Sequence, residues 1–544
     1  MQITTALEAS HRDADAIASG VDSWALMFAA GRAAAQFAAD VARRIGTRGI
    51  TVVAGSGNNG GDAYVLAAEL LRRGFELHLV AVGEPRSADA IRARDLYNAA
   101  RNVAGPRLDV EIGTTEQLML LVVDGLLGTG QQGALREQVR EQTRRINTRR
   151  DSGAAVVIAL DVPTGVNATT GEIVNDAVRA DYTLSFGTMK RAHVLQREQC
   201  GEVIVFDIGL GEFASKDDGA WTLADTAMLR ARVPNISWEA HKGTRGRVAI
   251  VGGAHGMAGA VVLAAQAALR SGAGLVFAYV AAESVLPVQI NVAQAMAHAL
   301  LKATLREQLD GAHTLVVGPG FGRGAQSREL LDVLLATLVN AMPNIPLVLD
   351  ADALTLIGTD MNRLKLLTQT REVVCTPHLG EFARLIGEPA AVTLENRVEQ
   401  AQELVAQTGC TILLKGTPTI VVSPNTRSTI IVPRGTPVLA TGGSGDMLSG
   451  MVGTLLAQSA NAADAAAIAA WVHGRAAELA TELAQSVRGV SLQDVMNAMP
   501  NAWAELAPSL LQSHAPRAAA VDSAGSSGSG VLAHLPRVWS DSNS

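Results

Sequence analysis

Aromatic side chains are scarce in this chain: Phe, Trp and Tyr make up 3% of its 544 residues. That excludes a platform on which single-stranded nucleic acid stacks its bases. Positive charge is not in surplus either. The formal net charge of −7 gives no overall attraction to nucleic acid or to an anionic membrane surface. Any anionic ligand must therefore be held by local donors. Three cysteines, Cys200, Cys375 and Cys410, are too few and too scattered for a disulfide framework or a zinc site. They fit a reducing compartment. No uncharged apolar run approaches the roughly 20 residues of a membrane span. Met1–Glu8 has neither a basic nor an apolar signal region. The expectation is a soluble, cytoplasmic protein with no nucleic-acid or membrane partner.

What the chain has is apolar bulk and glycine. Hydrophobic residues make up 48%, and 53 residues are glycine. A single core is not expected at this length, and two or three domains are. Residues 13–44 read as Ala-rich helix, with Leu26, Met27, Phe37 and Val41 facing inward. Ile50–Ala54, Leu77–Val82, Leu118–Val123, Val156–Leu160, Tyr182–Phe186 and Val203–Phe206 read as strands. A second series follows at Arg247–Val251, Leu275–Val280, Thr314–Val317, Leu347–Leu349, Val373–Cys375, Ile412–Lys415 and Ile420–Val422. Alternation of strand and helix predicts parallel sheets, hence an α/β fold. The expected layout is a Rossmann-like three-layer α/β/α domain over 1–212 and a charged connector over 213–240. A second α/β/α domain covers 241–512, and a tail over 513–544, with its Ala-Gly-Ser-Ser-Gly-Ser-Gly run, reads as disordered.

The stretch Ala440–Gly450 organises the second half. Its glycines at 442, 443 and 445 do not suit a helix interior. Apolar side chains then recur at helical spacing from Met447 to Leu456. A glycine turn feeding a helix N-terminus aims backbone N–H groups at one spot and makes an anion site. Asp446 falls in the first helical turn. A carboxylate there repels phosphate, so it is either a helix cap or a general base for a substrate hydroxyl.

The first half has a comparable opening. Strand Ile50–Ala54 runs into Gly55-Ser56-Gly57-Asn58-Asn59-Gly60-Gly61-Asp62 and then a helix, the phosphate-binding opening of a doubly wound sheet. Asn58, Asn59 and Asp62 make it more polar than a plain phosphate cradle, suited to a ribose, a cation or a reacting group. The turns Asn58–Asp62, Asp124–Gly130 and Asp161–Gly165 all follow strands. In a parallel sheet they converge on one edge, where ligands sit.

In this order the turns resemble one family pair. The first half resembles NAD(P)H-hydrate epimerase domains through GSGNNGGD, DGLLGTG, LDVPTGVNATTGE and LSFGTMK. The second resembles NAD(P)H-hydrate dehydratase domains of the ribokinase-like superfamily. It does so through HKGTRGRVAIVGG, AALRSGAG, VVGPGFG, LDADAL, TPHLGEFARLIG, LLKG and ATGGSGD. The whole is similar to bacterial bifunctional repair enzymes, over about 16–511.

The resemblance implies that reduced nicotinamide dinucleotides hydrated at C6 are repaired. The second domain would dehydrate the S form with ADP, and the first would interconvert R and S. Asp446 would be catalytic, with Lys415, Gly416, Thr417, Pro418, Thr419 and Gly445 holding ADP. Ala260, Gly320 and His378 would touch the hydrated dinucleotide. In the first domain Asn58, Asn59, Gly60, Gly61 and Asp62, with Gly128, Thr129, Gly130, Gln131, Gln132, Gly133 and Ala134, would bind substrate. Asp161 would be the acid/base. Asn59, Asp124 and Thr164 would ligate K+, as oxygen donors suit a hard cation; by their turns alone, Asp124 and Thr164 read as caps. Mg2+ would neutralise the diphosphate. Implied partners are hydrated NADH or NADPH and ADP, with a homo-oligomer expected. Lys190 receives no role, because Lys190-Arg191-Ala192-His193 fits the family pattern loosely.

The competing reading is a small-alcohol or vitamin-precursor kinase with a non-catalytic N-terminal ligand-binding domain. It predicts a stable phosphorylated product instead of inorganic phosphate and restored reduced cofactor.

Overall fold

A computed structural model describes residues 1–47, 49–104, 119–215, 221–342, 344–506 and 530–538. The chain divides into two compact units. One holds residues 1–221 together with the C-terminal segment 530–538, and the other begins at Thr222.

The first unit is built on a sheet in the order Val531–Leu535, Glu202–Phe206, Tyr182–Phe186, Ala155–Leu160, Leu120–Gly125, Gly49–Ala54, Glu76–Ala81. All neighbours are parallel except the first pair. The central strands are fully buried: Val52, Val122, Val123, Val157 and Ile158 are all at 0% exposure. Both faces are covered, which is why these strands read as unbroken apolar runs and not as alternation. The chain moves from Gly49–Ala54 outward to Glu76–Ala81, then returns to Leu120–Gly125 on the other side. That reversal opens a crevice at the carboxyl edge.

Residues 13–44 form two helices, not one. Ala6–Ala18 carries a capping box at Thr5 and Glu8, and Ser23–Arg44 is capped by Asp22. Gly20 between them has φ +107°, which ends the first helix.

The 513–544 tail was expected to be structureless, and the structure corrects this in part. Val531–Leu535 is an edge strand antiparallel to Glu202–Phe206, with Ala533 and Leu535 buried. Alternate apolar residues in Val-Leu-Ala-His-Leu meet an open sheet edge, a partner visible only in three dimensions. Residues 513–529 and 539–544 lie outside the described ones.

The second unit has a sheet in the order Ala295–Ala299, Leu275–Val280, Arg247–Val251, Thr314–Val317, Leu347–Leu349, Val373–Cys375, Thr411–Leu414, Thr419–Val422, Thr429–Val432. It is parallel through Thr411–Leu414 and antiparallel in the last two pairs. Its switch point lies between Arg247–Val251 and Thr314–Val317. The long helices Ser444–Ala457 and Ala462–Ala484 supply much of the core, with Trp471 at 1% exposure. Part of the stretch expected as connector is ordered. Thr226–Arg230 is a helix capped by Asp225, Leu229 is fully buried, and Ala224 N donates to Ile431 O at 2.9 Å. Residues 216–220 fall outside the described ones. Among the described residues no helix is long and apolar enough to cross a membrane.

Candidate active sites

In the first unit the crevice is made by glycines that permit backbone to touch backbone. Gly55 N donates to Gly125 O at 3.0 Å. A Cβ on Gly55 would lie 1.9 Å from Leu126 O, and one on Gly60 would lie 1.9 Å from Gly55 O. The helix Asn58–Arg72 starts here with Gly57 as its N-cap and no side-chain cap. Its first-turn amides are therefore left for a ligand.

The expected turns do converge. Thr164 Oγ1 donates to Asp124 Oδ1 at 2.8 Å, and Thr164 N donates to Asp124 Oδ2 at 2.8 Å. Leu127 N donates to Thr164 Oγ1 at 3.1 Å. Asp124 is fully buried, and burial raises its pKa to about 6 against the lowering effect of the Thr164 and Leu126 donors. Asn59 borders the same loop: a Cβ on Gly128 would lie 3.5 Å from its Oδ1. Both polar atoms of the Asn59 side chain are buried without a protein partner. Gln131 reaches across, its Oε1 accepting from Gly165 N at 2.6 Å. Gly130, Gln132, Gly133 and Ala134 stand exposed on the outer part of this loop, with Thr129 half-buried. Asn58 is exposed too, its Oδ1 accepting from Ser87 Oγ at 2.7 Å.

Asp161 ends strand Ala155–Leu160 in a strained turn. Its φ is +64°, and Val162 N donates back to Leu160 O at 2.9 Å. A three-residue turn with positive φ at a non-glycine centre is rare, and such strain concentrates at functional sites. Its carboxylate meets Lys190, with Nζ to Oδ1 at 2.5 Å. Lys190 is buried at 3% exposure, and its ammonium also donates to Ser185 Oγ and Phe186 O. Lys190 N donates to His193 Nδ1 at 3.1 Å, so the proton sits on Nε2, which donates to Asp161 O at 2.8 Å. Burial, reinforced by the Lys190 charge, lowers the His193 pKa to about 4 and keeps the ring neutral. Lys190 thus holds the carboxylate of Asp161, and His193 holds its backbone. No role was expected for either. The missing signal was distance: Met189–Lys190 is a two-residue strand paired with Gln2–Thr4, and only that pairing turns Lys190 toward Asp161.

Two more carboxyls share this crevice. Asp62 comes from the start of helix Asn58–Arg72 and Asp13 from helix Ala6–Ala18. Burial, followed by the charges of Asp161 and Asp13, pushes the Asp62 carboxyl well above the ordinary carboxylate range. Desolvation raises Asp13 as well, against Lys190.

In the second unit the crevice again follows glycines. Gly253 N donates to Pro319 O at 2.9 Å and Ala254 N to Gly320 O at 2.7 Å. A Cβ on Gly320 would lie 3.1 Å from the Ala260 Cβ, so these two expected substrate residues are neighbours. Helix Ser444–Ala457 begins after Gly443, whose φ is +99°, and no side chain caps it. Ser444 Oγ turns away to Leu439 O at 2.7 Å. The amides of Gly445 and Asp446 are in the first turn and have no intrahelical acceptor.

Asp446 is half-buried beside a charge cluster. Burial, then the Asp350 charge, raise its pKa to about 7 against the pull of Lys415. Lys415 Nζ holds Asp350 Oδ1 at 2.9 Å and lies 3.9 Å from Glu381 Oε2. Burial opposes the lysine charge, but Asp350, Glu381 and Asp446 outweigh it and raise its pKa. A Cβ on Gly445 would lie 3.0 Å from Lys415 Nζ, so the glycine leaves room for the lysine over the turn. Gly416 and Thr417 are exposed, Pro418 is buried, and Thr419 Oγ1 donates to Gly416 O at 3.2 Å. His378 pairs in a bridge with Lys415, and its Nδ1 caps the next helix by accepting from Gly380 N at 3.0 Å. Asp352 holds Arg323 at 2.6 Å and Gly322 N at 2.9 Å. Asp350, Asp352 and Glu381 had drawn no role of their own; each is an acid after a strand, indistinguishable from a cap until Lys415 is seen against Asp350 and Glu381 and Arg323 against Asp352.

Comparison with known proteins follows the same division. The NAD(P)H-hydrate dehydratase family profile matches residues 248–501, and the profile described as YjeF-related protein N-terminus matches 23–192. A bifunctional NAD(P)H-hydrate repair enzyme from Coxiella burnetii is 34% identical over 86% of this chain and 92% of its own length. One from Salinibacter ruber is 35% identical over 89% and 93%. One from Escherichia coli is 32% identical over 85% and 86%. Among solved structures, an ADP/ATP-dependent NAD(P)H-hydrate dehydratase from Bacillus subtilis, co-crystallised with ATP/Mg2+, is 26% identical with a TM-score of 0.44. That match covers 52% of this chain and 97% of that one. With relatives matched across both units at this identity, the chain belongs to the bifunctional NAD(P)H-hydrate repair enzymes.

Proposed function

We propose that the two crevices divide one repair task. The second unit dehydrates the S form of hydrated NADH or NADPH, converting ADP to AMP and phosphate, and the first unit interconverts the R and S forms. The observation that carries the first half of this reading is Asp446. It is a carboxylate tuned to about 7, set on the first turn of an uncapped helix and facing Lys415.

Hydroxide is a poor leaving group and phosphate a good one. Asp446 takes the proton of the C6 hydroxyl as its oxygen attacks the β-phosphorus of ADP. The N–H groups around Gly443–Gly445 stabilise charge on the transferred phosphoryl group, and Lys415 holds the nucleotide side. The ring nitrogen then pushes its lone pair toward C6, the C–O bond breaks, and phosphate leaves with the reduced ring restored.

Mg2+ fits this site as a partner of the diphosphate. Asp350 Oδ2 is buried without a protein partner, an oxygen available toward such an ion. Among the described residues no three His, Cys, Asp or Glu side chains are grouped to chelate a metal. An ion held by phosphate oxygens and water with one or two carboxylates is the usual Mg2+ arrangement. K+ fits the first crevice. Asn59 offers an orphaned buried amide oxygen beside Asp124 and Thr164, all hard donors. There the cation would fix the Gly125–Gly128 loop against the substrate.

In the first unit Asp161, held by Lys190 and His193, takes or gives a proton as the C6–O bond re-forms or breaks on its face of the ring. The test is to supply a mixture of epimers with ADP and Mg2+ and to follow reduced-nicotinamide absorbance and phosphate. Complete recovery with stoichiometric phosphate is expected. A stable phosphorylated product would favour a kinase, and recovery stopping at the S share would leave the first unit without epimerase activity.

A further inference from the structure

Interconverting two faces of one carbon poses a requirement that a single acid does not meet. If hydroxide leaves one face as water and a new water adds to the other, each face needs a group to give or take a proton. The Asp161–Lys190 pair stands on one wall of the first crevice. The helix Asn58–Arg72 starts at the same carboxyl edge, where Gly60 packs on Gly55. Its Ala63 packs onto Gly125, where a Cβ would lie 2.5 Å from the Ala63 Cβ. Gly125 ends the strand next to the one that carries Asp161. Asp62, one residue before Ala63, is therefore held over the same edge on a rigid element. Among the described residues no hydrogen bond or ion pair occupies its carboxyl, although it lies near enough to Asp161, Asp13 and Lys190 to feel their charges. A half-buried, unpartnered acid in a charged crevice is an arrangement that stability alone does not favour.

We infer that Asp62 is the second acid/base of the epimerase centre, serving the face of the nicotinamide ring opposite Asp161. The inference rests on the epimerase reading of the first unit. In one direction Asp62 gives its proton to the departing C6 hydroxyl, which leaves as water while the ring nitrogen supplies the electron pair. Water then adds to C6 from the other face, its electron pair forming the new C–O bond and its proton passing to Asp161. The ring nitrogen recovers its lone pair. The reverse direction exchanges the roles of the two carboxyls, so no oxidant, reductant or other reactant is consumed. Burial beside Asp161 favours a protonated Asp62, while the Asp161 carboxylate stands paired with the Lys190 ammonium.

The groups facing Asp62 are Asp13, Asp161 and Lys190, with His193 behind Asp161. The experiment uses the full-length chain and pure R-hydrate, with loss of R followed directly. Asp62→Asn is expected to lower kcat at least 100-fold with KM within about threefold, and to remove the alkaline limb of the pH–rate profile. Asp62→Glu, which keeps the acid one methylene further out, is expected to recover part of the rate. Dehydration of S-hydrate by the same preparations should be unchanged, and the first unit's melting step reports whether it is folded. An Asp62→Asn enzyme with kcat within threefold of the parent, or one that loses only KM, overturns the inference. If Asp62→Asn unfolds the first unit, the Asp62→Glu enzyme decides: a full rate with an unaltered pH profile overturns it. An Asp161→Asn enzyme that still epimerises would overturn the underlying reading instead, so the two failures are distinguishable.

Discussion

In the first unit the carboxylate proposed to react ends a strand in a strained turn and is held by a buried lysine; in the second it rides on the first turn of a helix among other carboxylates. Both crevices lie at switch points of doubly wound sheets. Both also start a helix with glycine and no side-chain cap, whereas Thr5, Asp22, Thr393 and Asn461 cap helices elsewhere. The shared part leaves the first-turn amides of each helix without a side-chain cap. The difference lies in the charge placed beside each of these acids. Lys190 pairs directly with the Asp161 carboxylate, a contact that orients it toward the crevice. Asp350 and Glu381 crowd Asp446 with negative charge, suited to a base that accepts a proton near neutral pH.

The sharpest way to break this comparison is to silence one acid at a time. Asp446→Asn should lower S-hydrate dehydration by about 10²–10⁴-fold while R-to-S conversion survives, and Asp161→Asn should do the reverse. Assays on separated epimers read both. Glycine substitutions should divide the units next. Gly60→Ala drives a Cβ into the Gly55 carbonyl, and should destabilise the first unit by about 1–3 kcal/mol or more in a denaturant melt. Gly445→Ala meets only the tip of Lys415, so it should leave the melt nearly unchanged and raise the KM for ADP. Ending the chain at residue 529 removes the strand that buries Leu535. The first unit alone should lose about 1.5–3 kcal/mol, read as an earlier melt of that unit.

Smaller effects come from titration. Dehydratase kcat/KM should rise with pH through about 7 as Asp446 ionises, and Asp350→Asn should move that limb to lower pH by removing a like charge. Asp124 offers a stability test. Its folded pKa, about 6, lies above the ordinary 3.8, so the folded state binds the proton more tightly. Stability from this group is therefore present below pH 4 and is lost as pH rises through 6. A cation beside the ionised form offsets that loss. K+ in place of a large organic cation should raise the first unit's melting temperature more at pH 8 than at pH 5, as scanning calorimetry would record.

Much of both sites was legible before folding because the relevant residues are local. The segments Gly55–Asp62 and Ala440–Gly450 each contain a strand or turn, its glycines and the helix start, so the donor cradle is written in one short stretch. The positioning of Asp161 was not. Lys190 lies 29 residues away, and its two-residue strand has no periodicity to detect. Nor was the Val531–Leu535 strand legible, since five residues of mixed character become a strand only when an edge is there to pair with.

The amino-acid sequence by itself determined the α/β alternation, the two glycine cradles and the acids that follow each strand. Backbone geometry and local hydrogen bonding decide those within a few residues. Tertiary structure alone decided which charge stands beside each acid, because that depends on which strands become neighbours across the sheet. The ionisation of a buried carboxylate follows from those neighbours and not from its place in the chain.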